Sequence, residues 1–302
     1  MSTPQKPPAQ RPEAFTKLEE AVERALTAGG WREYLTTQAK FYRYSFRNLL
    51  LILSQRPTAS RVAGFHDWLK IGRHVRKGEK GIAILAPLKW STTDQDTGET
   101  QGGIKGFKAV YVFDLEQTDG EPLPERPQIQ ITDGSSDQAA ILTAKLTYSL
   151  EHDGIPVKFA DLEPGHHGFY RRSDRSITLA GWLGDVQRFS TLVHETAHAK
   201  LHAHPQQIPL EDAQHAQALR EFEAESVAFV VLDFFGVNVL ECSAGYLASY
   251  GATPELLVKI GARVQTCAAN IIEILERDQP DEHMQTASVI PLEPVDLVRG
   301  AA

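Results

Sequence analysis

The stretch TLVHETAHAKLHAHP, residues 191–205, restricts the fold more than any other segment of the chain. His194 and His198 stand four apart, with Glu195 directly after the first. On an α-helix, residues four apart lie on one face about 6 Å apart along the axis, so both imidazoles can face one ion with Glu195 beside it. Leu192, Val193, Ala197 and Leu201 keep this helix apolar, which predicts a buried, central position where two histidines need partners. A neutral imidazole suits zinc, and a catalytic zinc takes three protein ligands and leaves a fourth position for water. Glu195 is then the expected general base, accepting the proton of that water as it attacks a carbonyl. Against this stands the ordinary alternative for a pattern with three fixed letters, a pair of hydrogen-bonded core histidines.

A third ligand is expected on a neighbouring helix, and LREFEAESVAFVVLDFFG, residues 219–236, is the candidate. Glu221, Ala224, Glu225 and Ala228 fall at i, i+3, i+4 and i+7, a stripe in which two carboxylates alternate with two small residues that permit close helix approach. Glu221 ranks first as ligand and Glu225 next, as its supporting partner or substitute. Glu223, on a different face with Val227 and Val230, ranks last. His202 would stand about 12 Å along the axis from His194, too far to share its ion. No glycine at position 201 bends the chain to bring His204 back, so both are expected near the last carbonyls of the helix. Tyr246 or Tyr250 is a candidate to stabilise an oxyanion.

With 302 residues, 42% of them hydrophobic, the chain has material for about two domains with real cores. Residues 1–12 are polar and proline-rich, read as a disordered tail without the apolar stretch of a secretory signal. The longest apolar run, VAFVVLDFFGVNVL, contains Asp233 and falls short of the roughly 20 residues that span a bilayer, so no membrane association is expected. Cys242 and Cys267 form no C-x-x-C and read as buried free thiols of a reducing compartment, which points to the cytoplasm.

Charge is segregated along the chain. Residues 31–90 carry twelve Lys and Arg against three acidic residues, a net +9 within a chain whose total is −8. Such asymmetry is expected when one domain meets a polyanion. QTDGEPLPERPQIQITDGSSD, residues 117–137, reads as a linker, placing a boundary near residue 125. The expected organisation is α+β in two domains, 13–125 and 126–302. In the first, PEAFTKLEEAVERALTAGG reads as a helix with a Gly-Gly stop, YSFRNLLLILSQRP as a second helix with Ser45 as N-cap, and GIAILAP and FKAVYVFDL as a hairpin with a long polar tip. In the second, ILTAKLTYSLEHDG reads as a helix, IPVKFADL as a strand, GFYRRSDRSITLAG as a hairpin around Ser173-Asp174, and ELLVKIGARVQTCAANIIEILE as a closing amphipathic helix.

Residues 60–81, SRVAGFHDWLKIGRHVRKGEKG, hold the groups expected to meet a polyanion. Arg61, Lys70, Arg73, Arg76, Lys77 and Lys80 supply cations, glycines allow close backbone approach, and Phe65 and Trp68 offer rings for stacking unpaired bases. That favours single strands over duplex, since no recognition helix is evident. The alternative is that Phe65 and Trp68 are core residues and the charges are solvated.

YSFRNLLLILSQRPTASRVAGFHDWLKIGRHVRKGEKGIAILAP resembles the N-terminal single-stranded-DNA-binding domain of the ArdC antirestriction family, through Tyr44, Ser45, Asn48, Trp68 and the turn Val75, Lys77, Gly78, Lys80, Gly81. The resemblance implies binding of single-stranded DNA without strong sequence preference and adds Tyr44 and Asn48 to the candidate contacts. HETAHAKLH and EFEAESVAF are similar to the H-E-x-x-H and E-x-x-A patterns of ImmA/IrrE-type metallopeptidases, with Glu225 where those proteins often show Asn, so Glu221 and Glu225 both stay open as third ligand. These resemblances imply a single-stranded-DNA-binding module followed by a gluzincin-like zinc peptidase, acting in antirestriction for plasmids or other mobile elements on an unidentified protein substrate. The alternative is a DNA-binding protein that occludes DNA and whose metal site is structural.

Overall fold

The computed structural model describes residues 13–93, 100–123, 137–203, 213–237 and 253–277. The N-terminal tail, the boundary near residue 125, His204, Cys242, Tyr246 and Tyr250 lie outside the described residues.

Three helices open the chain: α1 (Glu13–Ala25), α2 (Ala28–Lys40) and α3 (Phe46–Gln55). The Gly-Gly pair expected to stop the first helix is instead the first turn of the second. Thr27 caps α2 by accepting a hydrogen bond from the Gly30 N–H at 3.0 Å. Gly30 is required at this corner, because a Cβ there would sit 2.8 Å from the Arg24 carbonyl carbon. Ser45 holds the N-cap position of α3 without a side-chain bond.

A three-stranded antiparallel sheet follows, β1 (Val62–Gly64), β3 (Ile82–Thr93) and β4 (Thr100–Asp114), in the order β1-β4-β3. Helix α3 closes the outer edge of β3. Asn48 bonds both the N–H and the C=O of Leu85 (2.8 and 3.0 Å), and Gln55 does the same for Ala83 (3.1 and 2.9 Å), so two side-chain amides stand in for a neighbouring strand. The hairpin runs further than its apolar pattern suggested. After a bulge at Leu88/Lys89, pairing continues from Lys89↔Ile104 to Thr93↔Thr100 through residues expected in the tip. Apart from the exposed Ile104 those residues are polar or glycine, so no alternation marks them as strand.

Between β1 and β3 lie α4 (Phe65–Lys70) and β2 (Arg73–Val75); β2 pairs with β5 (Thr118–Gly120). The expected linker therefore begins with an ordered strand. Asp114 organises this corner: it is fully buried, accepts the backbone N–H groups of Ser60 and Arg61 at 2.9 and 3.1 Å, and pairs with Arg56 at 3.1 Å.

The second half comprises α5 (Asp137–His152), β6 (Val157–Ala160), β7 (Gly168–Arg171), β8 (Ser176–Ala180), α6 (Asp185–Leu201), α7 (Ala213–Phe234) and Pro254–Glu276, here α8. Its sheet has the order β6-β8-β7, with β6 parallel and β7 antiparallel to a wholly buried β8. The molecule is α+β, and one continuous hydrophobic cluster runs from α1–α3 into α6, α7 and α8. Trp31 of α2 packs 5.3 Å from Phe222 and donates through Nε1 to Ser226 Oγ at 3.0 Å, both on α7.

Candidate metal centre and nucleic-acid face

Helix α6 is central because its apolar positions point every way inward: Phe189, Leu192, Val193 and Ala197 are all fully buried. Gly168 lets strand β7 lie directly on this helix, since a Cβ there would meet Thr191 Cγ2 at 2.9 Å. At this level α6 presents His194 and His198, whose Nε2 atoms are 3.0 Å apart. Helix α7 brings Glu221 Oε2 to 3.6 Å from the first and 3.4 Å from the second. Ligand atoms about 2.0–2.1 Å from a tetrahedral zinc stand about 3.3 Å from one another, so the three donors have the spacing of a bound dication and leave one side open. Two imidazoles and a carboxylate fit zinc and admit manganese.

The charges agree with that geometry. The close approach of the His194 and His198 rings, at 3.6 and 3.4 Å, holds the Glu221 carboxyl far below the usual range. Burial works against charged His194, but Glu221 and Glu195 together outweigh it and raise its pKa. Glu195 is buried beside the cluster and is not part of it. Burial pushes its carboxyl up, against the opposing pull of His194, His198 and a backbone hydrogen bond at Tyr170 of β7. Glu225 is half-buried one turn from Glu221, and its charge contributes to raising His194.

His202 is the C-cap of α6, at the helix end as expected, but it is 1% exposed and its ring turns inward, with Nδ1 3.0 Å from His198 Nδ1. Its Nε2 lies 2.9 Å from Glu223 Oε2, and Glu223 is fully buried and paired with Arg263 of α8 at 2.7 Å. Burial lowers the pKa of His202 and keeps the ring neutral. Glu223 lies outside the donor cluster, in keeping with its last rank as ligand, and its stripe with Val227 and Val230 signalled the burial for which a carboxylate demands partners.

The basic segment is also reassigned in part. Trp68 is buried, donating through Nε1 to the Phe113 carbonyl at 2.9 Å, so it packs the interior and offers no face to a base. Asn48 is occupied by the β3 edge, and the Tyr44 hydroxyl donates to the Val62 carbonyl at 3.2 Å. Arg73 ties β2 to β5 through Thr118 and Gly120, while Arg76 pairs with Glu79 at 2.8 Å and Lys70 with Asp67 at 2.7 Å. The Arg61 side chain is half-buried, and Lys77 and Lys80 are exposed.

Phe65 does lie open, 45% exposed, with its ring 6.4 Å from Phe113. Alternation along β4 puts Tyr111 and Phe107 on the same sheet face as Phe113, and they are 62% and 47% exposed. Gly81 makes room for this row, since a Cβ there would be 2.9 Å from Tyr111 Cβ and 3.2 Å from Phe113 Cζ. By sequence alone Tyr111 and Phe107 read only as strand residues; their signal is two large aromatics four apart, on the same face of a strand whose other face supplies the core.

Residues 13–113 match the family model described as the N-terminal domain of anti-restriction factor ArdC, and residues 150–232 match an IrrE N-terminal-like domain. The fold is ArdC-like. Two crystal structures of the antirestriction protein ArdC from plasmid R388, one metal-free and one Mn(II)-bound, share this fold with a TM-score of 0.55. They are 18% and 17% identical, and each alignment covers 87% of this chain and 99% of theirs. An uncharacterized Bacillus anthracis protein is 26% identical over 288 residues, covering 81% of this chain, and the chain spans about half (47%) of that relative's length. The chain thus pairs a part that matches the ArdC N-terminal domain with a metallopeptidase-like one, and among the described residues no helix is long and apolar enough to cross a membrane.

Proposed function

We propose that this chain is a zinc-dependent peptidase joined to a module for single-stranded DNA, acting in the protection of incoming mobile-element DNA. The observation that carries the catalytic half is the convergence of His194, His198 and Glu221 with Glu195 alongside but outside the donor set. A metal site that served structure alone would have no use for that fourth group. Zinc held there would lower the pKa of a bound water and polarise a peptide carbonyl. Glu195 accepts the proton of the attacking water and returns it to the departing amine. Strand β7 is an edge strand, and its Tyr170 backbone reaches Glu195, so an extended peptide adding to that edge would bring its carbonyls beside the base.

Support for the nucleic-acid half comes from the open row of Phe65, Tyr111 and Phe107, with Lys77, Lys80, Lys89, Lys105 and Lys108 exposed on the same β-rich part. Aromatic faces beside lysines accept stacked bases of any sequence and their phosphates. In this reading the stacking surface is the sheet face and not Trp68.

Purified protein should hold close to one zinc per chain, and His194→Ala or Glu221→Ala should each remove most of it. Loss of zinc in Glu225→Ala but not in Glu221→Ala would reassign the ligand. Glu195→Gln keeps size and hydrogen-bonding reach, so zinc and DNA binding should persist while peptidase activity falls roughly 10²–10⁴-fold. Full protection of incoming DNA by Glu195→Gln would show instead that the protein works by occluding DNA.

A further inference from the structure

We propose that His202, Glu223 and Arg263 form a positioning relay that fixes the tautomer and aim of His198, so that its Nε2 stands bare toward the metal. This inference rests on the metal reading above. The relay crosses three helices: His198 and His202 on α6, Glu223 on α7, and Arg263 on α8.

Each proton along the chain has one consistent place. His198 Nε2 faces the point shared with His194 and Glu221, so it must be a lone pair, which leaves the ring proton on Nδ1. That Nδ1–H donates to His202 Nδ1 at 3.0 Å, which must then be unprotonated. His202 therefore carries its proton on Nε2 and donates it to Glu223 Oε2 at 2.9 Å. Glu223 is a pure acceptor, closed from the far side by Arg263 Nε to Oε1 at 2.7 Å and Nη2 to Oε2 at 3.3 Å. Arg263 Nη2 also donates to the carbonyl of Leu201, anchoring the last turn of the helix that carries both histidines at 2.9 Å. Reversing any one proton would set two donors or two lone pairs against each other.

A metal-bound histidine ordinarily donates its second nitrogen directly to a carboxylate or carbonyl. Here a second imidazole is interposed, and the carboxylate lies one ring further away. The burial of His202 and Glu223 gives the arrangement its strength, because water cannot replace either partner. Arg263 in turn compensates the Glu223 charge, which would otherwise be costly at zero exposure.

Two measurements test the relay. In metal-free wild-type protein with ¹⁵N-labelled histidine, proton–nitrogen correlation spectra at pH 8 should show His198 as the Nδ1–H form and His202 as the Nε2–H form. Finding His198 protonated on Nε2 overturns the proposal. In chelator-competition titrations with zinc, His202→Phe should weaken binding about 10–100-fold, while His202→Asn, whose Oδ1 can replace Nδ1 as acceptor, should recover most of the loss. Circular dichroism of each metal-free variant checks folding, and wild-type affinity in a folded His202→Phe overturns the relay. If wild-type protein itself takes up no zinc, the metal reading falls, and the tautomer spectra still decide the relay.

Discussion

Gly261→Ala tests whether the N-terminal helices and the metallopeptidase-like part share one core. Gly261 lies on α8 directly against Phe46 of α3. A Cβ placed there would be 2.7 Å from Phe46 Cζ and closer still to Cε2 and Cδ2. Carbon pairs are most comfortable near 3.5–4.0 Å, so the ring would have to retreat by about 1.5 Å. It has little room, being 2% exposed, with Tyr34 at 4.9 Å and Trp31 at 6.4 Å between ring centroids. Overpacking of this kind costs about 1–3 kcal/mol, and alanine's better helix propensity returns about 1. An approach as close as 2.1 Å puts the overpacking at the upper end of that range, and the net loss of about 2 kcal/mol, at about 2–4 °C per kcal/mol for a chain of this size, should appear as a lower melting temperature. Phe46→Leu removes the collision, so the double variant should be more stable than the sum of the two single losses by at least about 1 kcal/mol. Thermal melts of all four proteins close the cycle. Additive losses, or a Gly261→Ala protein as stable as wild type, would refute a tight contact between α3 and α8.

Tyr111→Ala and Phe107→Ala should each weaken single-stranded DNA by about 1–3 kcal/mol in fluorescence anisotropy at fixed salt, with little effect on duplex; unchanged affinity would remove the sheet face from the binding surface. Lys77→Ala and Lys80→Ala should instead flatten the salt dependence, by roughly 0.7 in the log–log slope per lost phosphate contact. Cys267 is pushed up to about 12 by burial, so at pH 8 only about one thiol in ten thousand is ionised. It should resist iodoacetamide in native protein and react in urea, as peptide mapping would show; rapid native labelling would contradict its burial. Because the folded thiol ionises later than the unfolded one, the stability linked to it is complete below about pH 8.5 and declines as pH rises toward 12.

Periodicity made the long elements legible and failed where polar chemistry alone decides. The apolar frame of α6 and α7 was readable from 3.6-residue spacing, as were the strands around Ser173-Asp174, because burial leaves a pattern in those segments. Punctuation misled at Gly29-Gly30, where glycine serves a crowded helix corner as well as it would serve a stop. The far half of the β3–β4 ladder left no pattern, since residues 91–93 and 100–103 are polar or glycine throughout. Residue type likewise could not distinguish arginines that bind a ligand from those that bind the fold. Arg73 is spent on Thr118 and Gly120, partners 45 or more residues away that no local reading brings near.

The shared core also bears on the metal centre. Trp31 of α2 holds Ser226, three residues beyond Glu223 and five beyond Glu221, while Phe46 of α3 and the Tyr34 hydroxyl, 3.4 Å from the Gly261 carbonyl, rest on α8 two residues before Arg263. The helices that carry the third donor and the far end of the relay are therefore backed by the N-terminal helices, not by solvent. Cores of this density transmit small displacements, because side chains have few empty spaces into which to relax. A shift of α2 or α3 would reach Glu221 and Arg263 through direct packing. Glu195, by contrast, is held by α6 and the β7 edge, on the side where the second half supplies its own sheet. The Glu195 carboxyl thus depends on the second half alone, whereas the proposed ligand set depends on both halves.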